Sequence, residues 1–149
     1  MTIFELVDKD MTEALKSGDK ARLTVLRGLK SDLKYKMIDI GQKTLTDAQS
    51  IEVLATAAKK RRDSIEMFRQ GGREDLATQE EYELSVVSTY LPKQLSEDEL
   101  RQLVGDAIAQ TGAASPKDMG KVMQALMPHV KGRADGKLVS RLVSEMLAN

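Results

Sequence analysis

The chain has 149 residues, 41% of them hydrophobic and 31% charged, and its 23 basic residues balance 23 acidic ones. That length fits one ordinary domain or two small ones, and the apolar fraction argues against disorder. The lack of cysteine excludes disulfides, thiolate catalysis and cysteine-based zinc sites. Zero net charge removes any whole-protein electrostatic case for nucleic-acid binding.

Helical punctuation begins at once. Thr2-x-x-Glu5 is a capping box, and Ile3, Leu6, Val7, Met11, Ala14 and Leu15 follow at helical spacing until Gly18. Asp19 caps a second helix with the stripe Leu23, Leu26, Leu29, Leu33, Met37 and Ile40, ended by Gly41. Thr46-x-x-Gln49 opens a third, with Ile51, Leu54, Ala55, Ala58, Ile65 and Phe68 on one face, and Gly71-Gly72 ends it. Thr78-x-x-Glu81 opens a fourth, carrying Tyr82, Val86, Val87 and Tyr90 and stopping before Pro92; Arg73 to Ala77 reads as loop or an early turn.

After Pro92 the elements shorten. Ser96-x-x-Glu99 is another capping box, with Leu95 as a hydrophobic staple, and the fifth helix buries Leu100, Leu103, Val104, Ala107 and Ile108 before Gly112. Ser115-Pro116 starts a sixth helix, which buries Met119, Val122, Met123 and Leu126 and stops near Pro128. Asp135 caps a seventh, burying Leu138, Val139, Leu142, Val143 and Met146. No segment alternates with period two over strand length. The expectation is an all-α protein with a four-helix N-terminal part, residues 1–92, and a small three-helix C-terminal part, residues 93–149.

The candidate chemistry is local. Between Lys117 and Arg141 lie six basic residues (Lys117, Lys121, Lys131, Arg133, Lys137 and Arg141) against two acids, Asp118 and Asp135. Gly132-Arg-Ala-Asp-Gly136-Lys137 resembles a nucleotide-binding loop at a glance. It has three residues between its glycines instead of four, Leu138 in place of Ser or Thr, and no strand before it. Its plain reading is a helix–turn–helix connection. That reading still leaves a helix N-terminus among basic side chains, an arrangement suited to a nucleic-acid phosphate.

Other features read more simply. The run Lys59-Lys-Arg-Arg-Asp63 places successive side chains about 100° apart, so it cannot face one partner, and its i,i+4 charges pair. Arg61 or Arg62 fills the gap between Ala58 and Ile65 with its aliphatic stem. Met119, Met123 and Met127 share a face with Val122 and Leu126, as a core stripe does. The sole histidine, His129, has no second histidine to complete a metal site, so no metal and no cofactor are expected. Glu80, Glu81 and Glu83 read as a solvated first turn. The start MTIFELVDKDM lacks a basic segment followed by an apolar run, and no stretch approaches about 18 apolar residues; a cytoplasmic chain without membrane partners is expected.

Three segments carry a resemblance: LKSGDKARLTVLRGLKSDLK, KKRRDSIEMFRQGGREDLATQEEYELSVVSTYLPKQLSEDEL and DMGKVMQALMPHVKGRADGKLVSRLVSEML. In order and spacing the chain resembles the GatB/YqeY family, in its stand-alone YqeY-like branch. The other branch is the C-terminal tail of the GatB component of the tRNA-dependent aspartyl/glutamyl amidotransferase, a tail that engages tRNA while catalysis resides elsewhere. The resemblance therefore implies tRNA contact at Lys121, Lys131, Arg133 and Lys137, and translation-related partners such as an amidotransferase. It also implies the label of a carbon–nitrogen ligase with glutamine as amido-N-donor. Glutamine hydrolysis needs an activated nucleophile and carboxylate activation needs phosphoryl transfer, and neither constellation is readable here. The expectation is a non-catalytic helical module that binds tRNA or a tRNA-handling complex. The alternatives are a protein-interaction adaptor without RNA and a component of amidotransferase activity.

Overall fold

The computed structural model describes all 149 residues, Met1–Asn149, and every regular element is helical. In chain order they are α1 (Ile3–Ser17), α2 (Lys20–Ile40), α3 (Asp47–Gln70), α4 (Glu74–Ser88), α5 (Glu97–Thr111), a 3-10 turn (Pro116–Asp118), α6 (Met119–Val130) and α7 (Gly136–Ala148). The chain divides into two compact units, Met1–Leu91 and Pro92–Asn149, each with its own apolar core.

The helix starts are built as the sequence specifies. Thr2, Thr46 and Ser96 accept the backbone N–H of Glu5, Gln49 and Glu99, whose side chains return the bond to the cap backbone. Each reciprocal pair satisfies two otherwise orphaned donors. Gly18 and Gly41 close α1 and α2 in the left-handed region, at φ 76° and 67°, where a Cβ would be strained.

In the first unit α1 packs on α2 and α3 on α4, and α2 meets both members of the second pair. Leu26, Leu29 and Leu33 of α2 are fully buried, with Val7, Leu54, Ala58 and Val87 closing around them. Complete burial of one such leucine stabilises the fold by about 1.5–3 kcal/mol. Polar ties fix the hairpins to each other. The Ile3 N–H donates to Asp47 Oδ1 at 2.9 Å, and the Tyr90 hydroxyl donates to Asp10 Oδ2 at 2.5 Å. Arg22 lies 3.7 Å from the same carboxylate oxygen. Burial, with Asp10 alongside, pushes the Tyr90 phenol well above its ordinary range.

In the second unit Leu100 and Val104 of α5, Val122 and Leu126 of α6, and Val139, Leu142 and Val143 of α7 form the core. Asp118 ends the 3-10 turn and accepts the Ala114 N–H at 2.9 Å. That bond is the main cause holding its carboxyl below the ordinary carboxylate range, with Lys121 assisting.

Three boundaries differ from the sequence expectation. The fourth helix starts at Glu74, not Thr78; Ala77 is fully buried there, and Glu74 and Asp75 occupy the first turn, where the helix dipole favours carboxylates. The sixth helix runs through Pro128 to Val130, because Val130 is buried and the Lys131 N–H still reaches the Met127 carbonyl at 3.0 Å. Ser115-Pro116 opens the 3-10 turn instead of α6 itself, with no side-chain cap. Four residues read from the sequence as facing a core, Leu6, Leu15, Tyr82 and Met127, stand exposed, Leu15 by 61%.

Three measurements test this packing. Leu54→Ala should cost about 2–5 kcal/mol in chemical denaturation, since a fully buried leucine leaves a cavity. Gly28→Ala should raise stability by about 0.5–1 kcal/mol, because Gly28 lies inside α2 with nothing within 4 Å of an added Cβ. Asp118 has a folded pKa below its unfolded one, so its contribution is full above the unfolded value, about 3.9, and is lost as pH falls through the folded value. Melting temperature should therefore fall more steeply with acid in the wild type than in Asp118→Asn; equal acid limbs would remove this role for the Ala114 bond.

Candidate nucleic-acid interface

The turn between α6 and α7 is built around Arg133. Its Nη1 donates to the His129 carbonyl at 3.1 Å and its Nε to the Lys93 carbonyl at 3.3 Å. Its own backbone donates to Val130 O and accepts from the Leu95 N–H, both at 2.8 Å. Gln94 completes the clamp, its amide donating to the carbonyls of Pro92 and Gly132 at 2.8 Å each. Arg133 thus satisfies carbonyls left over at the end of α6 and fastens residues 92–95 to the turn. The geometry of the guanidinium is fixed by the fold.

Asp135 answers the question raised by the two glycines. Its carboxylate accepts the Lys137 N–H at 3.2 Å and caps α7. An acidic side chain therefore already occupies the helix end that a phosphate would otherwise seek.

The six expected cations separate into distinct environments. Arg141 donates to Glu97 at 2.7 Å and lies 3.8 Å from Glu145. Arg101 reaches the same two carboxylates, each at 3.8 Å, so this α5–α7 quartet is charge-balanced. Lys117, Lys121, Lys131 and Lys137 are exposed. Lys121 sits in the first turn of α6 and Lys131 at its C-cap. Ten residues at about 1.5 Å of rise put about 15 Å between them along the helix. Lys117 precedes α6 in the 3-10 turn, and Lys137 opens α7 after the clamp. The structure so resolves one basic stretch into two lysine pairs flanking α6 and two arginines held by the fold.

Of the remaining sequence features, the Lys59–Asp63 pairing stands as read, whereas Glu80, Glu81 and Glu83 lie past the first turn of α4 and Met127 leaves the core. Lys59 pairs with Asp63 at 3.0 Å. Arg61 bonds the Ala57 carbonyl at 3.0 Å and Glu83 at 3.3 Å, so its head group joins α3 to α4. Burial beside Glu83 raises the Glu80 carboxyl above its ordinary range, while Glu81 pairs with Arg69. Met119 and Met123 pack on the second core and Met127 is 42% exposed. His129 contributes its carbonyl to Arg133. No three histidine, aspartate or glutamate side chains are grouped to hold a metal, and no helix is long and apolar enough to cross a membrane.

Comparison with known proteins covers nearly the whole chain. Residues 4–147 match the family described as Yqey-like protein. The chain is 32% identical to altered inheritance of mitochondria protein 41, mitochondrial, of Lachancea thermotolerans, over 72% of this chain and 59% of that one. The protein of the same description in Pyrenophora tritici-repentis is 28% identical over 93% of this chain and 77% of its own length. That of Candida glabrata is 30% identical over 74% and 76%. The match thus takes in less than two thirds of the Lachancea protein. By the extent of the family match and the order of its motifs, the chain belongs to the YqeY-like protein family, of the GatB/YqeY type that its sequence resembles.

Proposed function

We propose that the protein is a binding module for tRNA or a tRNA-handling complex, with the lysines of the second unit meeting backbone phosphates and no bond of the RNA being made or broken there. The observation that carries this reading is the sorting of cations around α6. Arg133 and Arg141 are held by carbonyls and carboxylates, while Lys117, Lys121, Lys131 and Lys137 are all exposed, Lys131 and Lys137 with interactions of their own. Flexible exposed ammonium groups suit phosphate contacts that position without reading sequence. The likeness of MGKVM (119–123) and GRADGKLV (132–139) to the end of the amidotransferase tail supports tRNA as the polyanion. The relatives' names supply no substrate, and a protein partner reached through exposed Met127 is the second reading, favoured by the one methionine of that stripe that leaves the core.

Four phosphate contacts give a log–log slope of affinity against salt of about −3.6 on a duplex-like site. A Lys121→Ala/Lys131→Ala/Lys137→Ala variant should leave that slope about 2.7 shallower while its melting temperature stays near wild type. An unchanged affinity in this variant, or no tRNA binding by the wild type at low salt, contradicts the proposal. Arg133→Ala should behave differently. Its loss leaves the His129 and Lys93 carbonyls without their donor, so stability should fall by about 0.5–1.5 kcal/mol in chemical denaturation.

A further inference from the structure

We infer that the solvent-facing ridge of α2 in the first unit is a second polyanion site, which binds the phosphodiester backbone of single-stranded RNA. The ridge consists of Lys20, Thr24, Arg27, Ser31, Lys34 and Ile38, with Tyr35 beside it, all exposed. Steps of four and three residues keep these positions within one narrow stripe of a helix with 3.6 residues per turn. The stripe lies opposite the buried Leu26, Leu29 and Leu33. Lys20, Arg27 and Lys34 recur every seventh residue, about 10.5 Å apart along the axis. No acidic residue interrupts them; Asp32 and Asp39 lie on the flank toward α3, where both line the hollow between α2 and α3.

What sets this ridge apart is Arg27, whose charge the fold does not use. Arg22 pairs with Asp10, Arg61 with Glu83, Arg69 with Glu74 and Glu81, Arg73 with Asp75, and Arg101 and Arg141 with Glu97 and Glu145. Arg133 is bonded to carbonyls, and Arg62 also has an interaction. Arg27 is the one arginine with no hydrogen bond or ion pair, and the ammonium groups of Lys20 and Lys34 have none either. Gly28 adds an independent sign. Its φ is not positive and nothing lies within 4 Å of an added Cβ. Neither backbone geometry nor internal packing calls for glycine there, and its missing side chain opens the helix backbone to close approach from outside.

The spacing and neighbours select the ligand. From Lys20 to Lys34 the ridge extends about 21 Å along the axis, more than one phosphate spans, so the three cations taken together match a repeating anion. Beside its N-terminal half lies a hollow of about 410 Å³, lined by Lys20, Thr24 and Arg27 from the ridge with Ala14, Leu15, Gly18 and Leu23, and by no carboxylate. Leu15, 61% exposed, gives that hollow an apolar wall. Tyr35, 71% exposed, gives the other end of the ridge a flat aromatic face on which an unpaired base stacks, at the rim of the hollow that Asp32 and Asp39 also line. A membrane surface fits less well, because a helix lying in lipid needs an apolar face, and the apolar face of α2 is in the core.

The ridge is independent of the C-terminal lysines, and three proteins separate the two. Labelled single-stranded RNA is titrated at several salt concentrations with the wild type, with Lys20→Ala/Arg27→Ala/Lys34→Ala, and with Lys121→Ala/Lys131→Ala/Lys137→Ala, which carries the same change in charge. The ridge variant should keep its melting temperature, bind at least about tenfold more weakly and lose about 2 from the salt slope, as three single-strand phosphate contacts require. Wild-type affinity in the ridge variant overturns the inference even if the C-terminal variant is impaired. Loss in the ridge variant alone upholds it and removes the C-terminal surface from the reading above. Wild-type protein that cosediments with phosphatidylserine vesicles but does not bind RNA overturns it as well.

Discussion

Charge neutralisation inside the fold is the constraint on which the functional reading depends. With 23 basic and 23 acidic residues, the protein has no net field to attract a partner, and the polyanion binding proposed above must come from cations that folding leaves in solvent. Guanidinium groups are nearly all taken. A planar fork that binds carboxylates and carbonyls in fixed geometry suits joining helices, and Arg61–Glu83, Arg69–Glu81 and Arg141–Glu97 do that. Such exposed pairs are worth little each as stability. Their consequence is electrostatic: they engage the guanidinium groups, so the cations that protrude are mostly lysines, among exposed carboxylates such as Glu13, Asp39 and Asp98.

Two apolar cores hold these groups in place. Capping boxes at Thr2, Thr46 and Ser96 set where α1, α3 and α5 begin, and each helix then presents its leucines and valines inward. Since the leucine face of α2 is committed to the first core, helical periodicity obliges its other face to meet solvent. In the second unit, the Arg133 clamp fixes the α6–α7 turn while the Lys131 and Lys137 side chains stay exposed on either side of it. The arginine that builds the turn and the lysines proposed to bind thus lie a few positions apart in one sequence.

Much of this was legible in the sequence, for identifiable reasons. Seven helices and their glycine or proline boundaries follow from capping residues and period-3.6 stripes, which act locally. The boundaries that moved are those where buried residues lie beyond the local signals: Ala77 is fully buried in an α4 that starts four residues earlier, and Val130 is buried in an α6 that runs past Pro128. In the basic segment, the i,i+4 pair Arg141–Glu145 could be read from spacing, whereas Glu97 comes from 44 residues away. Arg133 bonding to the Lys93 carbonyl is equally non-local. The α2 ridge was hidden for the opposite reason. Its basic residues alternate in sequence with core leucines, and only the pattern of which arginines find partners makes Arg27 conspicuous.

The central claim is that the protein meets a polyanion with its exposed lysines and the lone arginine its fold leaves unclamped. Amide chemical-shift mapping of the 15N-labelled protein during titration with RNA, at low and at raised salt, tests it most directly. Salt-sensitive shifts are expected along the exposed stripe of α2 and at the two ends of α6, with the Arg69–Glu81 and Arg101–Glu145 regions unmoved. Shifts confined to the carboxylate-paired arginines, or none at all at low salt, would contradict it.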